Sequence, residues 1–313
     1  MKLGSQLKIS MPISLELVEA LENYFYELKP SPWVLLQKTA SDPYFLIGYF
    51  KNENKAQIAL KSLLRAFPNI QNKFEQEWLD KVDWQDAYKS YIKPWHERML
   101  HWIPLWAKND HLPPDASRTS IIYLDAGMAF GTGCHETTQL CASRLVDFFL
   151  DPSSHINAGL DSKIVDAGCG SGILALSAAA LGYRNIQAFD NDPSAIKVCH
   201  ENLRHNPAIG PIIFSVDDLN SGLKENAIDF LMANIETNIL ISFIEPIVKS
   251  LKENSILVLS GILITEIELL EKYYLDSLER LKPNSRLIFD SRIKGEWSDL
   301  MIKIIACEDG KYI

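Results

Sequence analysis

An apolar run, Lys163 to Ala167, leads straight into Gly168-Cys169-Gly170-Ser171-Gly172 and then into a helical apolar stretch, Gly172 to Leu181. No other feature restricts the fold as tightly. In open parallel sheets ligands sit outside the carboxyl ends of the strands, and glycines at a strand-to-helix turn let a ligand approach the backbone closely. Asp190 closes the next apolar run, Asn185 to Asp190, where an acidic side chain accepts hydrogen bonds from both ribose hydroxyls. Gly168, Gly170 and Asp190 are therefore read as a nucleoside site. A turn that uses glycine for structural reasons alone is the competing reading, and it leaves Asp190 in register unexplained.

The surrounding pattern agrees. Candidate strands at 163–167, 185–190, 212–216, 227–233 and 255–260 alternate with candidate helices at 172–181, 193–206, 238–251 and 264–275. Strands that are apolar throughout and separated by helices imply a doubly wound parallel sheet, buried on both faces. Arg286 to Lys294 and Ser298 to Cys307 flank Gly295-Glu296 and read as an appended antiparallel hairpin, the shape expected of class I methyltransferases. A nicotinamide dinucleotide is the rival ligand, because its fingerprint also places an acid about 20 residues on. That fingerprint needs G-x-G-x-x-G, whereas the third glycine here comes one residue early, and the hairpin replaces a second mononucleotide half. S-adenosyl-L-methionine is the expected cofactor.

Upstream lies a second loop, Leu124 to Thr138, containing Phe130-Gly131-Thr132-Gly133-Cys134-His135-Glu136-Thr137-Thr138 and opening an amphipathic helix. Its glycines and hydroxyls would bring backbone N–H groups toward the cofactor's methionine carboxylate, and Phe130 offers an aromatic face to a sulfonium. An N-capped helix with a flexible lead-in is the structural alternative. His135 alone reads as a structural histidine, and no second ligand at suitable spacing supports a metal site.

The amino-terminal part, residues 1–78, reads as β-α-β-β-α-β, the ferredoxin-like split motif, with Ser14 capping a helix to about Leu28. Residues 79–118, with Trp84, Trp95, Trp102 and Trp106 among the seven tryptophans, read as an aromatic connector packed onto a larger domain at 119–313. The chain has 313 residues, net charge −9 and 47% hydrophobic residues. That balance disfavours non-specific nucleic-acid binding and mildly favours a basic partner. Five cysteines without a CxxC pair fit a reduced, cytoplasmic setting. No apolar run approaches the roughly 18 residues that span a bilayer, and the first residues have no signal-peptide core. A monomer is the default expectation.

AGMAFGTGCHETTQLC, IVDAGCGSGILALSAAALG, AFDNDPSAI, MANIETNIL and LSGIL, with DWQDAYKSYIKP in the connector, resemble the ribosomal protein L11 methyltransferase (PrmA) family, from about Asp83 to the carboxyl end. The resemblance implies methylation of amino groups, chiefly lysine, on a ribosomal protein. It implies cofactor contacts at Thr138, Gly168, Asp190 and Asn234, and a substrate-gripping role for residues 1–78. Tyr88 stands where the family often has tryptophan, and Glu236 follows Ala-Asn-Ile where a small apolar residue is common.

Such a transfer needs no covalent nucleophile, only donor and neutral amine held in near-attack geometry. Asn234, at a strand's carboxyl end, is the candidate catalytic residue, with a turn-capping asparagine as the alternative. Asp217 and Asp218 are candidates for the adenine amine or else part of a solvated turn. Glu236 is a steering charge for a cationic substrate or an idle rim charge. A related enzyme acting on another protein or a small molecule, and a non-catalytic ribosomal-protein binding module, are the alternative functions.

Overall fold

The computed structural model describes residues 6–28, 31–36, 43–70, 73–79, 92–111, 119–125, 135–151 and 159–307. They fall into two compact units, Met1–Tyr91 and Ile92–Ile313.

In the first unit, β1 (Gln6–Ile13), α1 (Val18–Glu27), β2 (Trp33–Leu36), β3 (Tyr44–Phe50), α2 (Glu53–Ala66) and β4 (Glu75–Leu79) follow in order. The sheet runs β2-β3-β1-β4 with every neighbouring pair antiparallel. Leu7, Ile9, Met11 and Ile13 alternate along β1 into a core shared with Leu21, Leu46 and Leu63, as a strand with one covered face requires. Asn52 caps α2 by accepting the Lys55 N–H at 2.9 Å. Ser14 does not cap a helix with its side chain. Its carbonyl instead accepts the Leu17 N–H in a 3-10 turn, Leu15–Leu17, and α1 begins only at Val18.

The second unit opens with a three-stranded sheet, β5 (Trp95–Glu97), β6 (Leu100–Pro104) and β7 (Ser120–Leu124). Of the stretch expected as a connector, 92–111 thus belongs to this unit, while 80–91 and 112–118 lie outside the described residues. Aromatic packing is the reason: Trp95 and Trp102 stack with centroids 3.8 Å apart, and the buried Trp102 donates its indole N–H to Ser177 at 2.9 Å. A polar tip that finds a partner is what allows so large a ring to be buried.

Then come α3 (Glu136–Leu150), β8 (Lys163–Ala167), α4 (Ile173–Ala180), β9 (Asn185–Asp190), α5 (Pro193–His205), β10 (Ile213–Val216) and β11 (Ile228–Asn234). After these follow α6 (Thr237–Ser242), α7 (Ile244–Ser250), β12 (Leu251–Leu263), α8 (Ile267–Leu281), β13 (Ser285–Lys294) and β14 (Trp297–Ala306). The seven strands are ordered β10-β9-β8-β11-β12-β14-β13. The first five are parallel, and the hairpin β13-β14 joins antiparallel to β12. Ile164, Phe230, Met232, Ile256 and Val258 feed the core on one face, and Val165, Leu231, Ala233, Leu257 and Leu259 feed the other. That double burial explains the uninterrupted apolar runs.

Two expected helices differ from the sequence reading. The one predicted over 238–251 is broken at Phe243 into α6 and α7, because Pro246 has no N–H to continue the ladder. The one predicted to end at Leu275 runs on to Leu281, with Leu270, Tyr274 and Leu278 buried one turn apart.

The hairpin is anchored by charge. Arg144 on α3, almost fully buried, donates to both carboxylate oxygens of the inaccessible Asp299 at 2.8 and 2.7 Å, and also bonds Asp290. Breaking such a pair leaves a buried charge uncompensated, at a cost of roughly 3–5 kcal/mol. Asp299→Ala should lose about that much stability in urea denaturation, and Arg144→Met combined with Asp299→Leu should recover most of it. Equal stability of Asp299→Ala and the parent would show that the pair does not hold the hairpin.

Candidate functional site

The chain leaves β8 for β9 and β10 on one side, then returns to β11 and β12 on the other. This reversal opens a crevice at the carboxyl ends of β8 and β11, where ligands of doubly wound sheets sit. A cleft of about 620 Å³ lies there. It is lined from the β10 side to the β14 side by Asp217, Leu219, Asp190, Gly168, Asn234, Glu236, Gly261 and Trp297, with His135 and Thr137 contributed by the start of α3.

The glycine loop is built around Asp190. Gly168 and Cys169 both donate their N–H to the Phe189 carbonyl, at 2.8 and 3.0 Å, which ties the loop to the end of β9. Gly170 then donates its N–H to Asp190 Oδ2 at 2.9 Å, and Asp192 donates to Oδ1 at 3.0 Å. A carboxylate offers about four lone-pair sites, so Asp190 is held rigidly and still has acceptor capacity for a pair of vicinal hydroxyls. At Gly168 φ is +70°, and a Cβ there would lie 2.9 Å from the Ile235 side chain. Only glycine satisfies both constraints. Behind the loop the Cys199 thiol donates to the Gly170 carbonyl at 3.2 Å, and Asn202 joins the Ser171 carbonyl to the Asp125 N–H. The expected site residues Gly168, Gly170 and Asp190 are thus one hydrogen-bonded unit, whose fit to a nucleoside rests on that spare acceptor capacity.

The other half of the cleft joins α3 to β11. Asn234 donates its side-chain N–H to Thr138 Oγ1 at 3.3 Å, so two candidate residues far apart in sequence meet. Among the described residues nothing donates to Asn234 Oδ1, which keeps a carbonyl acceptor at the cleft. The segment after Asn234 is pinned by Ile235 N–H to the Ser260 carbonyl at 3.0 Å, and Ser260 Oγ donates to the Thr137 carbonyl at 3.0 Å. Gly261 has φ +85°, and a Cβ there would come within 2.7 Å of the Ile235 carbonyl oxygen. Backbone thus presses on backbone at the very place where Asn234 is presented.

Gly261 and Trp297 are site residues that the sequence reading did not assign. A glycine inside an apolar strand was the available signal for the first; nothing in the order of residues announces that Trp297 reaches the cleft. His135 behaves as a structural histidine, as expected. Its Nδ1 bonds Thr137 Oγ1 at 2.8 Å, and its ring meets Trp297 edge-on with centroids 5.0 Å apart. Asp218 turns inward to its own loop, accepting from Asn220 N–H, Ser221 N–H and Ser221 Oγ at 2.8, 2.9 and 3.1 Å. Those bonds, first the Ser221 N–H and then Asn220, hold its carboxyl below the usual range. Asp217 is left as the acid at that end. Phe130, Gly131, Thr132 and Gly133 lie outside the described residues. Among the described residues no cluster of His, Cys, Asp or Glu has the makings of a metal site.

Asp166, beneath the loop, is inaccessible and accepts the Ala175 N–H at 3.0 Å. Burial pushes its carboxyl up to about 7, with the Asp190 charge adding to the rise and the Ala175 bond opposing it. The folded protein therefore holds this proton to higher pH than the unfolded chain does, so the group's contribution to stability is complete below about pH 4 and is lost as the pH climbs through 7. Asp166→Asn keeps the acceptor and removes the ionisation. Its melting temperature should fall less than the parent's between about pH 5 and pH 8; parallel curves would refute the buried carboxyl's role.

A model of the family described as "Ribosomal protein L11 methyltransferase (PrmA)" matches residues 16–287. A ribosomal protein L11 methyltransferase from Ruminiclostridium cellulolyticum is 32% identical over 268 residues, covering 82% of this chain and 78% of the relative. One from Caldicellulosiruptor bescii is 29% identical over 314 residues, covering 93% and 96%. Among solved structures, the ribosomal protein L11 methylase from Lactobacillus delbrueckii subsp. bulgaricus aligns with TM-score 0.54 and 26% identity, covering 67% of this chain and 96% of that one. The doubly wound sheet with its hairpin, the glycine loop locked on Asp190 and the Thr138–Asn234 pair stand in a chain that belongs to the ribosomal protein L11 methyltransferase (PrmA) family of S-adenosylmethionine-dependent methyltransferases.

Proposed function

We propose that this enzyme transfers methyl groups from S-adenosyl-L-methionine to amino groups, chiefly lysine, of ribosomal protein L11. The observation that carries this reading is Asn234, fixed by Thr138 on one side and by the Gly261–Ile235 contact on the other, with its Oδ1 left as an acceptor. Bound S-adenosyl-L-methionine supplies a methyl group on a sulfonium, which an amine takes by in-line displacement.

Asp190 would hold the ribose hydroxyls, Gly168 and Gly170 would admit the cofactor to the backbone, and Asp217 with Leu219 and Phe189 would border the base. Thr138 would serve the methionine end, the role that the sequence reading also gives to Phe130, Gly131, Thr132 and Gly133. Asp190, Asp217, Asp218 and Glu236 line the cleft, and among the described residues no lysine or arginine does. An acidic cleft favours a cationic donor and a cationic acceptor.

A lysine amine, ordinarily protonated to about pH 10.4, attacks only when neutral. A carbonyl oxygen that accepts one of its hydrogens stabilises the neutral amine and turns its lone pair. Asn234 Oδ1 is placed for that role, and most of the acceleration comes from holding the two reactants in line.

The first unit is read as the part that grips the substrate. On the sheet surface away from its helices, Val34 pairs with Ile47 and Leu36 with Phe45, and Val34, Leu36 and Phe45 are exposed, while β4, across β1 at the opposite edge, carries Glu75 and a Glu77 paired with Lys8. An exposed apolar patch of this kind marks a surface for a protein partner. The reaction belongs in the cytoplasm, where that protein is made, and among the described residues no helix is long and apolar enough to cross a membrane. A monomer without direct nucleic-acid contact completes the proposal, in keeping with the net charge of −9.

Mass spectrometry of L11 produced without its methyltransferase, before and after incubation with this enzyme and cofactor, should show added methyl groups on lysine or the terminal amine. An unchanged L11, with cofactor binding verified, would reject it as the substrate. Asn234→Ala should lower kcat by about a hundredfold, and unchanged turnover would remove Asn234 from the mechanism. Asp190→Ala should weaken cofactor binding by tenfold or more in calorimetry, as loss of charge-assisted hydrogen bonds requires; wild-type affinity would place the ribose elsewhere.

A further inference from the structure

The strand order divides the cleft into two ends. A nucleoside on Asp190 and the glycine loop occupies the β10, β9 and β8 end, which leaves β11, β12 and β14 for whatever accepts the methyl group. Of the described residues lining that second end, Glu236 is the one carboxylate, and His135 is the only other ionisable group. Glu236 is exposed and directly follows the Asn234-Ile235 segment that Gly261 pins in place. Among the described residues no lysine, arginine or histidine pairs with it. Its backbone carbonyl is occupied, accepting from Ile239 and Leu240, so the peptide is fixed, while among the described residues nothing bonds the carboxylate. Trp297 lines the same cleft, its ring steadied by the edge-on contact of His135. Ile239 and Phe243 supply apolar lining.

We propose that Glu236 and Trp297 together form the binding site for the cationic head of the acceptor side chain, a primary ammonium on an alkyl stem. This rests on the amine-acceptor reading above and deepens it. The carboxylate supplies the counter-charge, Trp297 takes the cation on its face, and the apolar lining takes the methylenes and lowers the local dielectric, which strengthens the attraction over that in open water. A carboxylate stabilises the ammonium and so opposes its deprotonation. Glu236 therefore recruits the acceptor at the mouth, where the proton leaves to solvent, and the neutral amine advances to Asn234. Glu236 sets affinity and selectivity for a cation, and Asn234 sets turnover.

The test uses the full chain saturated with S-adenosylhomocysteine and takes n-butylammonium as the probe, with neutral 1-butanol as its isostere, in saturation-transfer NMR titrations. The parent should bind the cation more tightly than the alcohol, with a preference that shrinks as salt is raised. Glu236→Gln should weaken butylammonium by about fivefold, the upper range for a single carboxylate partner near a surface. Its affinities for 1-butanol and for S-adenosylhomocysteine should stay at the parental values, which also shows that the variant is folded. Glu236→Asp should keep part of the preference. Equal cation binding by parent and Glu236→Gln, or no preference of the parent for the cation, would overturn the proposal. Neither result depends on L11 being the substrate, so an L11 that gains no methyl groups beside intact cation binding would reject the named protein and leave the ammonium site standing.

Discussion

Five parallel strands must end on one edge with the first of them, β8, in the middle, and every feature of the site depends on that reversal. Because the chain winds outward from β8 and then returns to its other flank, β8 and β11 end side by side while their connections depart in opposite directions. The backbone beside the gap is held by bonds to neighbouring elements, Gly168 to the Phe189 carbonyl and Ile235 to the Ser260 carbonyl. Glycines at 168 and 261 let backbone and neighbouring chain come closer than any side chain would permit. Asp190 and Asn234 then stand on either side of the gap, each immobilised by a partner from a different element.

The rigid half and the reactive half of the cleft are secured differently. On the nucleoside side, loop amides bond a carboxylate and a carbonyl, so the loop's geometry is tied to β9. On the acceptor side, α3 reaches β11 and β12 through Thr137, Thr138 and Ser260, and the hairpin that brings Trp297 to the rim is anchored through the buried Arg144–Asp299 pair. The stability of the hairpin and the shape of the acceptor end therefore rest on the same helix.

What the order of residues discloses follows from how local each cause is. Strands β8 and β9 were legible to the residue because both faces of each are buried and a glycine turn or an acid closes them. Gly168, Gly170, Asp190 and Asn234 could be placed at the cleft because they sit at strand ends or in the turn that follows, whereas Thr138 entered through the family resemblance. The aromatics of 92–111 were legible as packing onto the larger domain, where Trp102 meets Ser177, but the sheet that β5 and β6 form with β7 was not, since the pairing of β6 with β7 joins segments separated in the chain. The break at Phe243 was readable in principle from Pro246, but the apolar period runs across it. Trp297 escaped because only the antiparallel register of β14 on β12, pairing Leu263 with Trp297, carries it to the rim. Of the two readings left open for Asp218, its bonds favour the turn, because an aspartate two and three residues before Asn220 and Ser221 satisfies its own loop before it serves a ligand.

The central claim is that one cleft holds the nucleoside on Asp190 and presents the reacting end to Asn234. A crystal structure with S-adenosylhomocysteine tests it most directly. Both ribose hydroxyls should bond the Asp190 carboxylate, and the sulfur should lie on the β11 side, between Thr138 and Asn234. A ribose bound away from Asp190, or a sulfur directed toward Asp217, would contradict the account.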